Sequence, residues 1–438
     1  MPHRYGVAKR SRNTATAKLV FRARLAPGSG SGIQTVDLAV DMSNMRRLGW
    51  TRGLLALLVA GQVAACGTTP RTSYTASEAA AAVLPGLDPN VRAYADASEK
   101  TFTEMSARPE NSRVPFAYLA LSGGGGDGAY GAGLLNGWTE SGKRPEFSLV
   151  SGVSTGALIA PFAFVGPEYD AILKDIYTSG VASTLVQSPS FANVLFGSGL
   201  FGDGRLRDLV RRYVTADLLA AVAAQHAKGR RLLVVTTNLD TQRAVIWNMG
   251  AIAASGGPAA LDLFTDVLTA SASIPAVFPP QLIDVQAAQR TFQEMHVDGS
   301  VVTPVFTLPQ SFLLRDGRFK AGAKSDIYVI INGRLEPEFD LAQNNTLSIV
   351  ERSFTTASRA RSRATLASTY ALTRNNGIGF NLAYIDESAP NASTARGFDT
   401  AYMRSLYETG YETGRTGTFW HKNVPVAPLV KASVVAAQ

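Results

Sequence analysis

The chain has 438 residues, 46% hydrophobic and 17% charged, enough apolar material for one large α/β domain or for two or three smaller ones. Its formal net charge is +8, but residues 1–65 hold ten Lys/Arg against Asp37 and Asp41, so the leader carries the whole excess and residues 66–438 sum to zero. A neutral body gives no reason to expect a nucleic-acid partner, and a single cysteine, Cys66, excludes an internal disulfide and a cysteine-built metal site.

Residues 1–41 are basic and show no clear periodic pattern. They read as a disordered leader, or as sequence upstream of a true start at Met42 or Met45. Met45-Arg46-Arg47 opens a basic stretch, and Leu54 to Ala65 is a run of 12 mostly apolar residues. As a helix that run spans roughly 18 Å, short of the ~30 Å of hydrocarbon a spanning helix must cross, so residues 42–65 read as a signal peptide. The run ends Val63-Ala64-Ala65-Cys66, which resembles the bacterial lipoprotein processing box. The resemblance implies that Cys66 becomes the lipidated first residue; an ordinary signal peptide with a chance cysteine is the alternative. Gly67 rather than aspartate at the next position implies, by the same resemblance, the outer membrane. The expectation is an envelope protein, membrane-bound through Cys66 and facing the periplasm. Residues 67–75 are expected to be a flexible tether.

Residues 76–108 carry alanine-rich helical stretches interrupted by Pro85-Gly86 and Pro89. The short apolar run 116–121, bounded by Pro115 and glycines, suits a buried parallel strand. The turn Ser122-Gly123-Gly124-Gly125-Gly126-Asp127-Gly128 follows, then a helix start over 132–138. Residues 147–150 read as the next strand, ending in Gly152-Val153-Ser154-Thr155-Gly156, with a helix over 157–165. The apolar loop 194–201 reads as core packing, with a lid as the alternative. Residues 205–213 are helical, with Leu206, Leu209, Val210 and Tyr213 on one face. Residues 231–237 and 326–331 are strands, and Arg352, Arg359, Arg361 and Arg363 are expected on a solvated helix face, with an anionic-lipid contact as the alternative. Strands alternating with helices predict an α/β fold with a mainly parallel sheet. The expected organisation is a tether and N-terminal helical stretch (66–109), one catalytic domain (110–420) and a C-terminal tail (421–438).

Three motifs carry chemistry. Ser154 lies in G-x-S-x-G between a strand and a helix, where flanking glycines permit a strained turn that lifts the hydroxyl clear of the sheet. Gly123-x-Gly125-x-x-Gly128 literally matches a dinucleotide fingerprint, but the next strand tip holds no acid for the ribose hydroxyls. No Gly-Lys-Ser/Thr follows, which excludes a phosphate-binding P-loop. The better reading is an oxyanion hole of main-chain amides at a helix N-terminus. Asp298, in Val297-Asp298-Gly299, is a plain Asp-Gly turn by itself and a candidate base in company with the other two.

Together these stretches resemble the patatin-like phospholipases, over about residues 115–335. The matching segments are Leu121 to Gly128, Ser151 to Ala160, Ala272-Ser273-Ile274-Pro275-Ala276-Val277-Phe278-Pro279-Pro280 and Val297-Asp298-Gly299-Ser300. The resemblance implies a three-layer α/β/α fold and a Ser-Asp dyad hydrolysing lipid esters. Ser154 would be the nucleophile, Asp298 its base, and the amides of Gly124, Gly125 and Gly126 the oxyanion hole. An aspartate base near neutrality calls for a confined apolar site that raises its pKa. A Ser-His-Asp triad using His296 is the mechanistic rival, with His226 and His421 expected at the surface. Two residues depart from the family pattern. Asp127 stands where the family has Arg or Lys and would repel a phosphate, which favours a neutral ester; Ser300 stands where Gly or Ala is usual. A non-catalytic lipid-binding lipoprotein on a degenerate hydrolase scaffold is the alternative function. No cofactor or metal requirement is legible, and acyl chain, headgroup and acceptor stay open.

Overall fold

The computed structural model describes residues 18–24, 35–41, 71–107, 116–186, 204–313, 325–339, 341–390 and 398–425. Cys66, the apolar run 54–65 and the loop 194–201 lie outside them. The chain forms two units, Met1–Pro70 and Arg71–Gln438. In the first, β1 (Lys18–Arg24) and β2 (Thr35–Asp41) pair antiparallel, with Lys18 opposite Asp41, within a stretch whose sequence shows no periodicity.

The second unit is built on a nine-stranded sheet. Its strands are β3 (Arg92–Tyr94), β4 (Ala117–Leu121), β5 (Leu149–Val153), β6 (Arg231–Asn238), β7 (Arg243–Asn248), β8 (Gln281–Ala287), β9 (Arg290–Asp298), β10 (Asp326–Ile331) and β11 (Gly379–Tyr384). The order is β11-β10-β4-β5-β6-β7-β3. Strands β11, β10, β4, β5 and β6 run parallel, whereas β7 and β3 close the edge antiparallel. The β8–β9 hairpin joins through an antiparallel pairing of β9 with the end of β6.

Alternate residues of the central strands enter two separate cores. Leu119, Leu121, Val150, Leu232 and Val234 face one, and Tyr118, Ala120, Leu149, Val153, Leu233 and Val235 face the other. A sheet buried on both faces accounts for the continuous apolar runs of its strands. The helices are α1 (Ala76–Ala80), α2 (Glu99–Met105), α3 (Gly128–Glu140), α4 (Thr155–Val165), α5 (Asp170–Thr178), α6 (Arg205–Tyr213), α7 (Ala216–Ala227), α8 (Met249–Ser255), α9 (Gly257–Ala272), α10 (Gln310–Leu313), α11 (Thr346–Asn376) and α12 (Thr400–Thr416). Residues of α3 to α9 and α12 fill the first core; Phe102 of α2 and Leu366 and Leu372 of α11 fill the second. The architecture is the three-layer α/β/α arrangement, with a mainly parallel sheet. Among the described residues no helix is long and apolar enough to cross a membrane.

Two local findings bear on the site. The tether expected through residue 75 is over by Arg71, whose guanidinium forks onto both carboxylate oxygens of Asp240 at 2.7 and 2.8 Å, while Tyr74 stacks on Phe292 at 4.2 Å. Residues 71–107 also contribute β3 to the sheet, so this stretch is not helical alone. Helices α3 and α12 approach until a Cβ on Gly133 or Gly137 would lie 2.0 Å from a carbonyl oxygen of the opposite helix. Their close crossing brings Tyr402 of α12 to the loop that precedes α3.

Candidate active site

Strand β5 passes into α4 through Ser154, which adopts φ 55 and ψ −126, a conformation that costs a non-glycine residue of the order of 1–3 kcal/mol. The surroundings hold it there. A Cβ on Gly152 would lie 2.3 Å from the Gly156 carbonyl, and one on Gly156 would lie 2.5 Å from the Leu121 carbonyl, so the flanking glycines let three backbone segments touch. The Ser154 N–H donates to Ser271 Oγ at 3.0 Å, and the Ser271 hydroxyl donates to the Val235 carbonyl at 2.7 Å. Sequence reasoning missed Ser271; its signal lay in the Ala-Ser-Ala-Ser-Ile-Pro stretch at the end of α9.

The Ser154 hydroxyl donates to Asp298 Oδ2 at 2.6 Å, and Asp298 Oδ1 accepts the Ser300 N–H at 2.7 Å. Asp298 is fully buried, and burial pushes its carboxyl up to about 6 against the opposing pull of the bonds from Ser154 and Ser300. Register explains how two residues so far apart in sequence meet. Along β6, Val235 pairs with Val153 at the end of β5, and the next residue, Thr236, pairs with Asp298 at the end of β9. Strand β9 takes up the edge of β6 where β5 leaves it, so the residue after Val153 and the last residue of β9 are neighbours.

The glycine loop between β4 and α3 is suspended from the end of β10. Asn332 donates its N–H to Ser122 Oγ at 2.8 Å and its side-chain amide to the Ser122 carbonyl at 2.7 Å, while the Gly123 N–H donates to the Pro304 carbonyl at 2.9 Å. The amides of Gly124, Gly125 and Gly126 make no hydrogen bond among the described residues. These glycines, Ser154 and Asp298 line one cleft of about 860 Å³. The structure thus brings together every predicted site residue among those described. Asn332 was not foreseen.

The sequence profile of the family described as Patatin-like phospholipase matches residues 119–309, which contain the glycine loop, Ser154 and Asp298. The chain carries a patatin-like phospholipase domain. The family is one of lipid acyl hydrolases. The solved structure of VipD from Legionella pneumophila is similar over 69% of this chain and 66% of that one, just under two thirds of its length, at 12% identity and a TM-score of 0.33. No curated protein matches the chain.

In this patatin-like domain Asp127 stands on the cleft wall, where Asp127 Oδ1 accepts the Tyr402 hydroxyl at 2.8 Å. Burial, reinforced by Glu338, pushes its carboxyl up to about 6, while Tyr402, Arg334 and Arg359 pull the other way. The arginine run departs from the expected solvated face. Arg359 pairs with Glu338 at 2.7 Å and Arg334 pairs with it at 2.8 Å, Arg352 donates to the Glu338 carbonyl at 2.6 Å, and all three arginines line the cleft. Arg363 donates to the Leu335 carbonyl at 2.9 Å, and only Arg361 is mainly exposed. On this 31-residue helix the spacing i, i+7, i+11 sets Arg352, Arg359 and Arg363 on the face that meets the segment 335–338 and turns Arg361 to the opposite side.

His296 does not bond to Ser154. Its Nε2 meets Glu294 Oε2 at 3.1 Å and its Nδ1 meets Thr236 Oγ1 at 2.9 Å. A carboxylate only accepts, so Nε2 carries the proton; Nδ1 then accepts from Thr236, whose oxygen takes the Trp247 indole N–H at 2.8 Å. Burial pushes His296 below its ordinary range against the pull of Glu294, consistent with a neutral ring. Arg92 completes the network at 2.5 Å from Glu294 Oε2. His421 is exposed, but His226 is half-buried against Gly250, not on the surface as expected. Because Glu294 is wholly buried, Glu294→Ala leaves Arg92 without its counter-charge and is expected to cost about 3–5 kcal/mol. Urea unfolding measures this, and a loss under about 1 kcal/mol would show the pair to be dispensable.

Proposed function

We propose that the protein is a serine acyl-ester hydrolase acting on lipids through a Ser154–Asp298 dyad. The observation that carries this reading is the 2.6 Å bond from the Ser154 hydroxyl to a buried carboxylate at the floor of the cleft. As the Ser154 oxygen attacks the ester carbonyl, its proton passes to Asp298 Oδ2. The tetrahedral oxyanion is held by the amides of Gly124, Gly125 and Gly126, aided by the N-terminus of α3. Collapse expels the alcohol, which takes the proton back from Asp298, and leaves the acyl chain on Ser154. Water then attacks the acyl carbonyl and gives a proton to Asp298; collapse breaks the bond to Ser154 Oγ, which takes that proton back as the fatty acid leaves. Because His296 is committed to Glu294 and Thr236, Asp298 acts without a histidine.

A phospholipid fits better than Asp127 by itself suggested. Asp127 is turned onto Tyr402 with a raised pKa, and Arg334, Arg352 and Arg359 on the same cleft supply cations that the family has within the loop. The lipoprotein box at Cys66 supports an envelope-anchored enzyme.

A fluorophosphonate probe tests the reading. The folded protein is expected to label at Ser154, identified on the tryptic peptide, and Ser154→Ala to remain unlabelled. Wild-type protein that stays unlabelled, or label on another residue, would sink the dyad.

A further inference from the structure

Seven large hydrophobic side chains are exposed among the described residues. Val83, Leu239 and Val302 are scattered, each about 40% exposed. The other four lie within twelve residues of one another: Phe339 is 94% exposed, Leu341 80%, Ile349 49% and Val350 41%. Phe339, Leu341 and Val350 also border the cleft that holds Ser154, so the patch is its outer rim. A phenylalanine and a leucine left almost wholly in water beside a cleft mouth mark a surface that is covered in use.

We infer that this rim docks the cleft onto a phospholipid bilayer. The inference rests on the acyl-hydrolase reading for one step: the occupant must leave the way to Ser154 open. A folded protein seated on Phe339 and Leu341 would close the mouth, whereas a bilayer surrounds the mouth with the acyl esters that enter it. Charge agrees. Helix α11, which carries Ile349 and Val350, has five arginines and one acid, Glu351, and exposes Arg361. The acids of the neighbouring segment are Glu336, Glu338 and Asp340, of which Glu338 is already paired with Arg334 and Arg359. Apolar side chains that enter the interfacial layer, flanked by arginines that meet anionic headgroups, are the usual composition of a membrane-surface contact.

The single native cysteine makes a local test possible. The full chain carrying Cys66→Ser and Ser154→Ala has no acyl anchor, no free thiol and no nucleophile. Leu341→Cys in that background takes an environment-sensitive fluorophore, and Lys100→Cys on the exposed face of α2 is the control. The vesicles are phosphatidylethanolamine and phosphatidylglycerol with brominated acyl chains. The expected result is a blue shift and strong quenching at position 341 and none at 100. No quenching at 341, equal quenching at both, or a shift that appears with rising protein concentration before vesicles are added would overturn the inference, the last by assigning the rim to a second copy. In protein that retains Ser154, Phe339→Asp with Leu341→Asp should lower turnover of vesicle phospholipid about tenfold more than turnover of a soluble short-chain ester. Equal losses on both substrates also count against the rim. If the label is quenched while soluble ester is never hydrolysed, the docking surface stands and the hydrolase reading fails.

Discussion

Asp298→Asn should lower kcat/KM for ester hydrolysis by roughly 10²–10⁴-fold. Asparagine keeps the shape, and its carbonyl oxygen can still accept the Ser300 N–H, but it cannot take the Ser154 proton. The wild type should lose activity as pH falls through about 6, the value to which burial pushes the Asp298 carboxyl, with the slope of a single proton. Asp127 titrates in the same range, so Asp127→Asn is the control. It bonds Tyr402 and not Ser154, and its variant should keep the acid limb that Asp298→Asn loses. Stability moves oppositely. A carboxyl raised in the fold contributes most below its ordinary value near 4, and that contribution is lost as pH rises through about 6. Asp298→Asn is therefore expected to be more stable than wild type at pH 8, by of the order of 1–3 kcal/mol, and no more stable near pH 4. An acid limb that persists in Asp298→Asn, or a stability advantage over wild type no larger at pH 8 than at pH 4, would count against a buried base.

The second large effect is expected of Gly124→Ala. Its Cβ would lie 1.8 Å from the Asn332 carbonyl oxygen and 2.8 Å from both the carbonyl carbon and the Asn332 Cβ. These atoms are held by the bonds from Asn332 to Ser122, so the glycine loop must move instead and carry the three amides with it. A displaced oxyanion hole costs about 10²–10³-fold in kcat, with KM little altered. Gly125→Ala separates this clash from backbone strain. Gly125 has φ 57, yet its Cβ would meet only the Phe398 ring at 3.7 Å. That variant is expected to lose about 1–2 kcal/mol of stability and less than tenfold in rate. Equal rates for the two variants would remove the loop from the mechanism.

Much of the site was legible because its parts are local. Glycines on both sides of Ser154, between an apolar strand and a helix, specify the sharp turn without reference to the rest of the chain. The helix over 205–213 and the strand over 326–331 appear where periodicity and apolar runs placed them. Other elements gave weaker local signals. Strand β7 and the three-residue β3 are antiparallel additions at an edge, and α11 mixes polar and apolar residues over 31 positions without a single continuous stripe. Asn332, Ser271 and Tyr402 act through side-chain bonds across separate elements, which no spacing in sequence reports.

The sequence by itself determined the turn at Ser154, the amide-rich loop at Gly124 to Gly126 and an α/β fold with a mainly parallel sheet, since each follows from local backbone sterics or from apolar patterning. Only the tertiary structure decided where Asp298 and the arginines sit. Asp298 could have been an ordinary turn; it faces Ser154 because β9 continues along β6 from the point where β5 stops, and β-sheet register is a relation between distant segments. The arginines became part of the cleft for the same reason: a helix face acquires its meaning from what it packs against.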